Sequence, residues 1–344
     1  MPGSGLSPDA RRVRVALAPL ALAALLAASC QDLGPRVQGP SDRWADFTPL
    51  VAMEEGPSYH LLQGYDPIWL RRVQQGIETA RAYFGSYGPV HVYVLGREAD
   101  GVIDPQAREA FIEEVCVCRH ARTDEAVGEC QHDGGVELFE ALERGEGQAY
   151  LSYLNDIDPP IAQLMFVNLH GWYSEEAPVS EPILRGIHEY THVFQCSVGP
   201  LPTWIMEGCA VFSEAWFPRR TAGHDLAEVM RRSMESAKQV EDPELGIEHM
   251  EEIESASEEV ERYYRNLAYD AGAWAIAFLI HESPSRSVAA LRDEFYPSVT
   301  ELGWELALPE YVGMSTKQEF YAAFKIFMAL PIDEQLLLLD DLRE

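Results

Sequence analysis

Five consecutive residues, His188-Glu189-Tyr190-Thr191-His192, carry the chemistry that is most visible in this sequence. An α-helix repeats every 3.6 residues, so two histidines four positions apart project from the same face and can bind one metal ion. Glu189 lies beside them, where a carboxylate can take a proton from a water molecule at the metal. The pentapeptide therefore predicts a zinc site for hydrolysis, with His188 and His192 as ligands and Glu189 as the general base.

A catalytic zinc site needs a third protein ligand and one open position. Glu207 is the candidate, and 14 residues separate it from His192. The interval contains Gly199-Pro200-Leu201-Pro202, which must end the first helix. A second helix is predicted to begin near Thr203, which is a good N-cap residue, so that Glu207 lies in its first turns. Two short helices joined by such a turn can direct His188, His192 and Glu207 at one point.

The motif and its continuation resemble those of the gluzincin metallopeptidases, in particular the peptidase MA-like set. That set reads HExxH, a short break, and then Pro-x-Trp-x-x-Glu-Gly-x-Ala-x-x-x-Glu. The second block is matched here by Pro202, Trp204, Glu207, Gly208, Ala210 and Glu214. The resemblance is close over residues 188–214 and looser over most of the mature chain. It implies that His188, His192 and Glu207 bind zinc, one ion per chain, and that the protein is an endopeptidase-like hydrolase of peptide bonds.

The chain also departs from two branches of that group. The Gly-Ala-Met-Glu-Asn motif of the aminopeptidase N-like branch is absent, and Val211 stands where thermolysin-like enzymes place an aspartate. An endopeptidase is therefore favoured over a zinc aminopeptidase. The intact set of ligands and base favours an enzyme over a non-catalytic zinc-containing surface lipoprotein. Zinc is the expected ion, although His/His/Glu sites also accept other divalent ions.

Several residues are candidates for supporting roles at this site. Glu214 lies two helical turns after the third ligand on the same face, where it can orient a ligand histidine; the alternative is a solvated carboxylate. The resemblance also implies a downstream tyrosine or histidine that stabilises the oxyanion. Tyr269 matches the family's tyrosine before a stretch of small residues, with Tyr264 as second choice and a structural tyrosine as the alternative. His170 and His281 are weaker candidates, because a lone histidine is more often structural or exposed.

The first thirty residues are typical of an export signal. Arg11, Arg12 and Arg14 form a basic segment, and the apolar run from Val15 to Ala28 is too short to cross a bilayer comfortably. The small residues before Cys30 are similar to a bacterial lipobox, in which the cysteine is lipidated. We therefore expect a lipoprotein of the bacterial cell envelope, attached to the membrane through Cys30, with plain secretion or a periplasmic location as the alternative.

The composition limits the partners of the protein. The formal net charge is −30, and removal of the signal would make it more negative still. Such a surface repels nucleic acid and anionic lipid headgroups. It could favour basic segments of a peptide or protein substrate, but it also simply maintains solubility. With 47% hydrophobic residues, the chain is long enough for one or two cores.

Five cysteines remain if Cys30 is lipidated, so at least one thiol is free or pairs between chains. One group alternates cysteine with histidine, and the expectation there is a disulfide or a free thiol rather than a second metal site. That group consists of Cys116, Cys118, His120, Cys130 and His132. Cys196 and Cys209 flank the turn between the two metal helices, where a disulfide staple between them is an alternative to free thiols.

Periodicity predicts an α+β fold. We expect strands at Tyr59–Leu62, Val90–Leu95 and Ile161–Leu169, a helix over Pro67–Tyr83, and mainly helices after Thr203. The resemblance implies a zincin-like arrangement in which the strand before the metal helix is a sheet edge, so that Gln163–Leu169 lines the substrate cleft; an ordinary core strand is the alternative. The predicted segments are a signal (1–30), a linker (31–57), an α/β subdomain with the HExxH helix (58–200) and a helical subdomain with the third ligand (201–344).

Overall fold

The protein has an α+β fold, with a mixed sheet in its N-terminal part and helices after it. The predicted signal, Cys30 and most of the predicted linker lie outside the described residues. Residues 47–57, which the sequence assigns to the end of that linker, belong to the fold: Leu50 is buried, and its N–H donates to the carbonyl of Cys196. The computed structural model describes residues 47–97, 101–120, 127–128, 130, 138–155, 157–173, 179–252 and 256–344.

The strands form one four-stranded sheet and one short ribbon. In the sheet the order is β2-β4-β6-β5, with the first three strands parallel and the last antiparallel to β6; β1 and β3 pair antiparallel in the ribbon. The predicted strands near Tyr59, Val90 and Ile161 are thus present. The strands of the described residues are β1 (Val51–Ala52), β2 (Ser58–Leu61), β3 (Tyr87–Gly88), β4 (Val90–Leu95), β5 (Gln148–Leu154) and β6 (Ile161–Val167).

The expectation that β6 is a sheet edge is wrong. β6 pairs with β4 on one side and with β5 on the other, and its residues from Ala162 to Val167 are buried. The strand at this edge of the sheet is β5, for which the sequence analysis predicted no strand. A strand that is hydrogen-bonded on both sides has no free backbone for a peptide, so the part of Gln163–Leu169 that lies in β6, up to Val167, belongs to an ordinary core strand.

Helices cover both faces of the sheet and make up most of the chain after residue 180. The labelled helices of the described residues are α1 (Pro67–Phe84), α2 (Pro105–His120), α3 (Glu181–Gln195), α4 (Thr203–Trp216), α5 (Leu226–Ala237), α6 (Glu258–Arg262), α7 (Gly272–Glu282), α8 (Val288–Ala290), α9 (Tyr296–Leu302), α10 (Trp304–Val312), α11 (Lys317–Met328) and α12 (Ile332–Asp340), and residues 138–143 are helical as well. One core lies between the sheet, α1 and α3 and continues into the C-terminal helices; a smaller core lies on the opposite face under α2. No helix among the described residues is long and apolar enough to cross a membrane.

The two helices of the HExxH motif and its continuation, α3 and α4, form as the sequence predicts, with one difference at the start of α4. Pro202, not Thr203, occupies the N-cap position, and no side chain caps this end. Thr203 is the first helical residue, and Pro202, with a ψ of 150°, is extended immediately before the helix. Glu207 consequently lies in the second turn of α4, facing α3.

The helices α3 and α4 each cross a neighbouring helix at a pair of glycines: α3 crosses α1, and α4 crosses α7. A Cβ atom built on Gly76 of α1 would lie 2.0 Å from the carbonyl oxygen of Ile183, and one on Gly186 would lie 2.5 Å from the carbonyl oxygen of Val73. Likewise, a Cβ on Gly208 of α4 would lie 2.5 Å from the carbonyl oxygen of Gly272 at the start of α7. Only residues without a side chain permit these backbones to approach so closely, and the approach sets the positions of α3 and α4.

We expect Gly76→Ala to destabilise the protein by about 2 kcal/mol, because the added methyl group would overlap backbone that cannot rotate away. That cost exceeds the gain of about 1 kcal/mol that alanine brings to a helix interior. Gly171→Ala is the control, since a Cβ there meets no atom within 4 Å. Urea unfolding measures both variants, and a Gly76→Ala protein as stable as the wild type would contradict the close crossing.

Candidate metal centre

Five ionisable side chains are buried together in this protein. Each exposes 8% or less of its surface, and in the described part of the chain no other ionisable side chain with a formal charge at neutral pH, nor any other histidine, is buried to this degree. Burial of such groups is costly unless they are paired or bind a metal, so their concentration at one place indicates a functional site. The five are His188, Glu189 and His192 of α3, and Glu207 and Glu214 of α4.

Three of the five residues converge on one point. Glu207 Oε2 lies 3.3 Å from His188 Nε2 and 3.5 Å from His192 Nε2, and the three ligand atoms all lie within 4.8 Å of one another. Ligands bound to one tetrahedral zinc ion at 2.0–2.1 Å are about 3.3 Å apart. Among the described residues, Glu207 Oε2 is buried without an aligned hydrogen-bond donor. The three atoms therefore face a common centre rather than one another, and this donor set fits a zinc ion.

The charges of the site favour a cation at that centre. Burial opposes a charge on His188, but the carboxylates of Glu214 and Glu207 outweigh burial and raise its pKa to about 10. Burial also opposes the charged form of Glu207, yet His192 and His188 outweigh it and hold the pKa of this carboxyl below its ordinary value. An environment that stabilises a proton between these groups also stabilises a metal ion in its place.

Glu189 lies next to the ligands without being one of the converging groups. It is 4% exposed, and burial raises its pKa, although His188 and His192 act in the opposite direction. A general base is most effective when its pKa is near the working pH, and burial moves a carboxylate toward that range. Glu189 is thus buried next to the three converging groups, and its role as the general base stays a prediction from the motif.

Glu214 is brought against a ligand histidine rather than into solvent. Its Oε1 lies 3.2 Å from Nδ1 of His188, on the side of the ring opposite the metal-facing Nε2. Arg185, one turn before His188 on α3, donates from Nη2 to Glu214 Oε2 at 3.2 Å. The guanidinium and His188 hold the pKa of Glu214 below its ordinary value despite burial. Arg185 and Glu214 thus form an ion pair beside the His188 ring, and the close approach of Glu214 Oε1 to His188 Nδ1 lacks the alignment of a hydrogen bond.

The four candidates for the oxyanion role lie in different parts of the structure, and one of them stacks on His188. The ring of half-buried Tyr269 stacks on His188 with centroids 5.9 Å apart, and Tyr264 packs behind it, edge-on, at 5.7 Å. Tyr269 is therefore beside the ligands, in a π-helical turn that leads into α7. His281, at the other end of α7, contacts Glu282 and Asp341 instead. His170 lies in the short 3-10 turn after β6.

Sequence analysis missed two residues that contact this group. Arg185 belongs to no motif. Its position three residues before His188, on the same side of the helix, is the signal that could have indicated a contact with this group. Gln195 stands three residues after His192, and its Oε1 lies 2.8 Å from His192 Nδ1. A polar residue one turn beyond a ligand, at the otherwise apolar end of the helix, is the corresponding signal.

Among the described residues, no cysteine belongs to the group that could hold a metal ion. Cys116 and Cys130 form a disulfide, and Cys118 is a free thiol. Both states were expected for this group of cysteines. The side chains of His120 and His132 lie outside the described residues. The alternative of a staple between Cys196 and Cys209 is wrong, because both are buried free thiols. Burial raises the pKa of Cys196 to about 12 and that of Cys209 to about 11, so both stay protonated.

Comparison of the chain with protein-family models, with curated proteins and with solved structures finds no match. The function must therefore be argued from the geometry and chemistry of this site.

Proposed function

We propose that this protein is a zinc-dependent peptidase of the endopeptidase type, with a zincin-like arrangement of its metal helices. One observation carries the proposal: the buried side chains of His188, His192 and Glu207 converge at zinc-ligand spacing, and Glu189 is buried beside them. Three protein ligands with a carboxylate base alongside are typical of hydrolytic rather than structural zinc sites, which have four protein ligands.

Zinc bound at this site would activate a water molecule and polarise the carbonyl group of a substrate. The protein's own residues then have separate tasks. Glu189 takes the proton of the attacking water and can return it to the leaving amine. We assign to Tyr269, whose ring stacks on His188, the donation of a hydrogen bond to the oxygen on which negative charge develops. Arg185 and Glu214 keep the His188 ring in the orientation in which Nε2 faces the ligand centre.

The substrate we propose is an extended peptide or a segment of a protein. β5 is the last strand of the sheet on the side of β6, and it packs against the metal helix α3. An extended peptide can add to a sheet at such a strand through backbone hydrogen bonds. This assigns to β5 the role that the sequence assigned to β6. Export and lipidation at Cys30 remain predictions from the sequence.

The test combines metal analysis with peptide cleavage by the purified protein. We expect about one zinc ion per chain and cleavage of internal bonds in both N-blocked and free peptides, abolished by a chelator and restored by zinc. Cleavage restricted to peptides with a free amino terminus would indicate an aminopeptidase instead. One zinc per chain with no cleavage of any member of a peptide library would indicate a non-catalytic zinc protein.

A further inference from the structure

Gln195, the last residue of α3, joins the two helices that carry the metal ligands. Its side chain is fully buried. One end of the amide, Oε1, lies 2.8 Å from His192 Nδ1. The other end, Nε2, donates to the carbonyl oxygens of Ile205 and Met206 at 3.3 and 3.1 Å, and lies 3.5 Å from the hydroxyl of Tyr296. No motif assigns a role to this residue.

The surroundings determine which way the amide points. Backbone carbonyl oxygens only accept hydrogen bonds, so the end of Gln195 that faces Ile205 and Met206 must be the NH₂ group. The amide oxygen must then face His192, and an oxygen can only accept. Nδ1 of His192 therefore carries the proton, which leaves the lone pair of Nε2 directed at the centre shared with Glu207.

The same amide also controls the position of the third ligand. Ile205 and Met206 immediately precede Glu207 on α4, and both carbonyl groups bind the NH₂ group of a residue on α3. A shift of either helix would break these bonds and leave a buried amide without hydrogen-bond partners, which is unfavourable. Gln195 thus couples the orientation of the His192 ring to the distance between the two helices.

A glutamine is better suited to this position than a carboxylate. His188 has the charged partner Glu214, which Arg185 neutralises. No cation of that kind contacts Gln195 among the described residues, and a carboxylate could not donate to two carbonyl oxygens. The two histidines therefore have different partners at Nδ1: His188 faces the carboxylate of Glu214, and His192 faces the neutral amide of Gln195.

We propose that Gln195 is a positioning residue of the metal centre: it holds His192 in the tautomer that binds metal through Nε2 and fixes Glu207 at ligand distance. This inference rests on the proposed metal site. Loss of the Gln195 amide is expected to weaken metal binding without removing any ligand. The zinc dissociation constant should rise by about 10–100-fold, as it does for other hydrogen-bond partners of ligand histidines.

The experiment compares Gln195→Met with Gln335→Met. Gln335 is the matched control, because it is also fully buried and donates from Nε2 to a backbone carbonyl, that of Phe327 at 2.8 Å, but lies in α12. Zinc affinity is measured by competition with a chelator, and thermal unfolding confirms that both variants fold. We expect weaker zinc binding in Gln195→Met alone, with Gln335→Met within twofold of the wild type.

A second measurement uses the metal-free wild-type protein at alkaline pH, where the imidazole is neutral and its tautomer is not set by a metal, and it does not depend on any variant. Nitrogen-15 histidine NMR is expected to show a hydrogen-bonded proton on Nδ1 of His192; a proton on Nε2 would overturn the inference. Equal zinc affinity in Gln195→Met and the wild type would overturn it as well while leaving the proposed function intact. Failure of the wild type to bind zinc would overturn both.

Discussion

Glu189→Gln is expected to lower kcat/KM for peptide cleavage by about 10²–10⁴-fold, the usual contribution of a general base, while zinc content stays at about one ion per chain. Glutamine has nearly the same shape as glutamate but cannot accept a proton at neutral pH. Glu189 is not one of the three converging groups, so its replacement leaves the ligand set complete. Rates on an internally quenched peptide and elemental analysis of the same preparation measure the two quantities.

Glu181→Gln is the control on the same helix. Its side chain is 46% exposed and contacts Arg185 only at 3.6 Å, as a surface pair of small energetic value. We expect the activity of the Glu181→Gln protein to remain within about twofold of the wild type, because an exposed ion pair contributes under about 1 kcal/mol. If Glu189→Gln retained wild-type turnover, the role of Glu189 as the base would be refuted, and another group would have to accept the proton.

Glu207→Gln is expected to weaken zinc binding by on the order of 100-fold or more, because it removes the only carboxylate of the three-ligand set. The carboxylate compensates the charge of the ion, and a neutral amide oxygen does so much less. Competition with a chelator of known affinity gives the dissociation constant, and circular dichroism checks that the variant is folded. Retention of wild-type affinity would place the third ligand elsewhere.

The two substitutions serve as controls for each other. Both replace a buried glutamate by glutamine, at residues that expose 4% of their surface each, so the general cost of the change is matched. Glu189→Gln should keep zinc and lose turnover, whereas Glu207→Gln should lose zinc and, with it, turnover. Loss of zinc in both would indicate that Glu189 supports the metal and is not only a base.

Local patterns predicted much of the site and several elements. His188 and His192 share a helix face because of a spacing of four, and Gly199 to Pro202 interrupts the helix whatever surrounds it. The helix predicted from Pro67 does begin there, and the structure adds its cap: Asp66 accepts from the N–H of Ile68 at 2.8 Å. These features depend on neighbours within one or two turns, which is why a single sequence contains them.

Strand order and long-range partners could not be predicted in the same way. The position of β5 at the sheet edge depends on which strands pair with which, and the pattern within a single strand does not specify its neighbours. The absence of a disulfide between Cys196 and Cys209 depends on the direction of each side chain after the helices pack. The contact of Arg185 with Glu214 joins residues 29 positions apart and follows from the crossing of two helices.

The sequence by itself determined the residue types of the candidate metal centre, the spacing of its two histidines on the first helix and the break before the second helix. The spacing and the break follow from helix geometry and from proline. Only the tertiary structure decided that Glu207 Oε2 lies 3.3 Å from His188 Nε2, that Glu214 faces His188 and that Gln195 faces His192. Those distances result from two helix crossings at glycine pairs, Gly76 with Gly186 and Gly208 with Gly272. Such close crossings are set by backbone contacts between distant segments, and no local pattern encodes them.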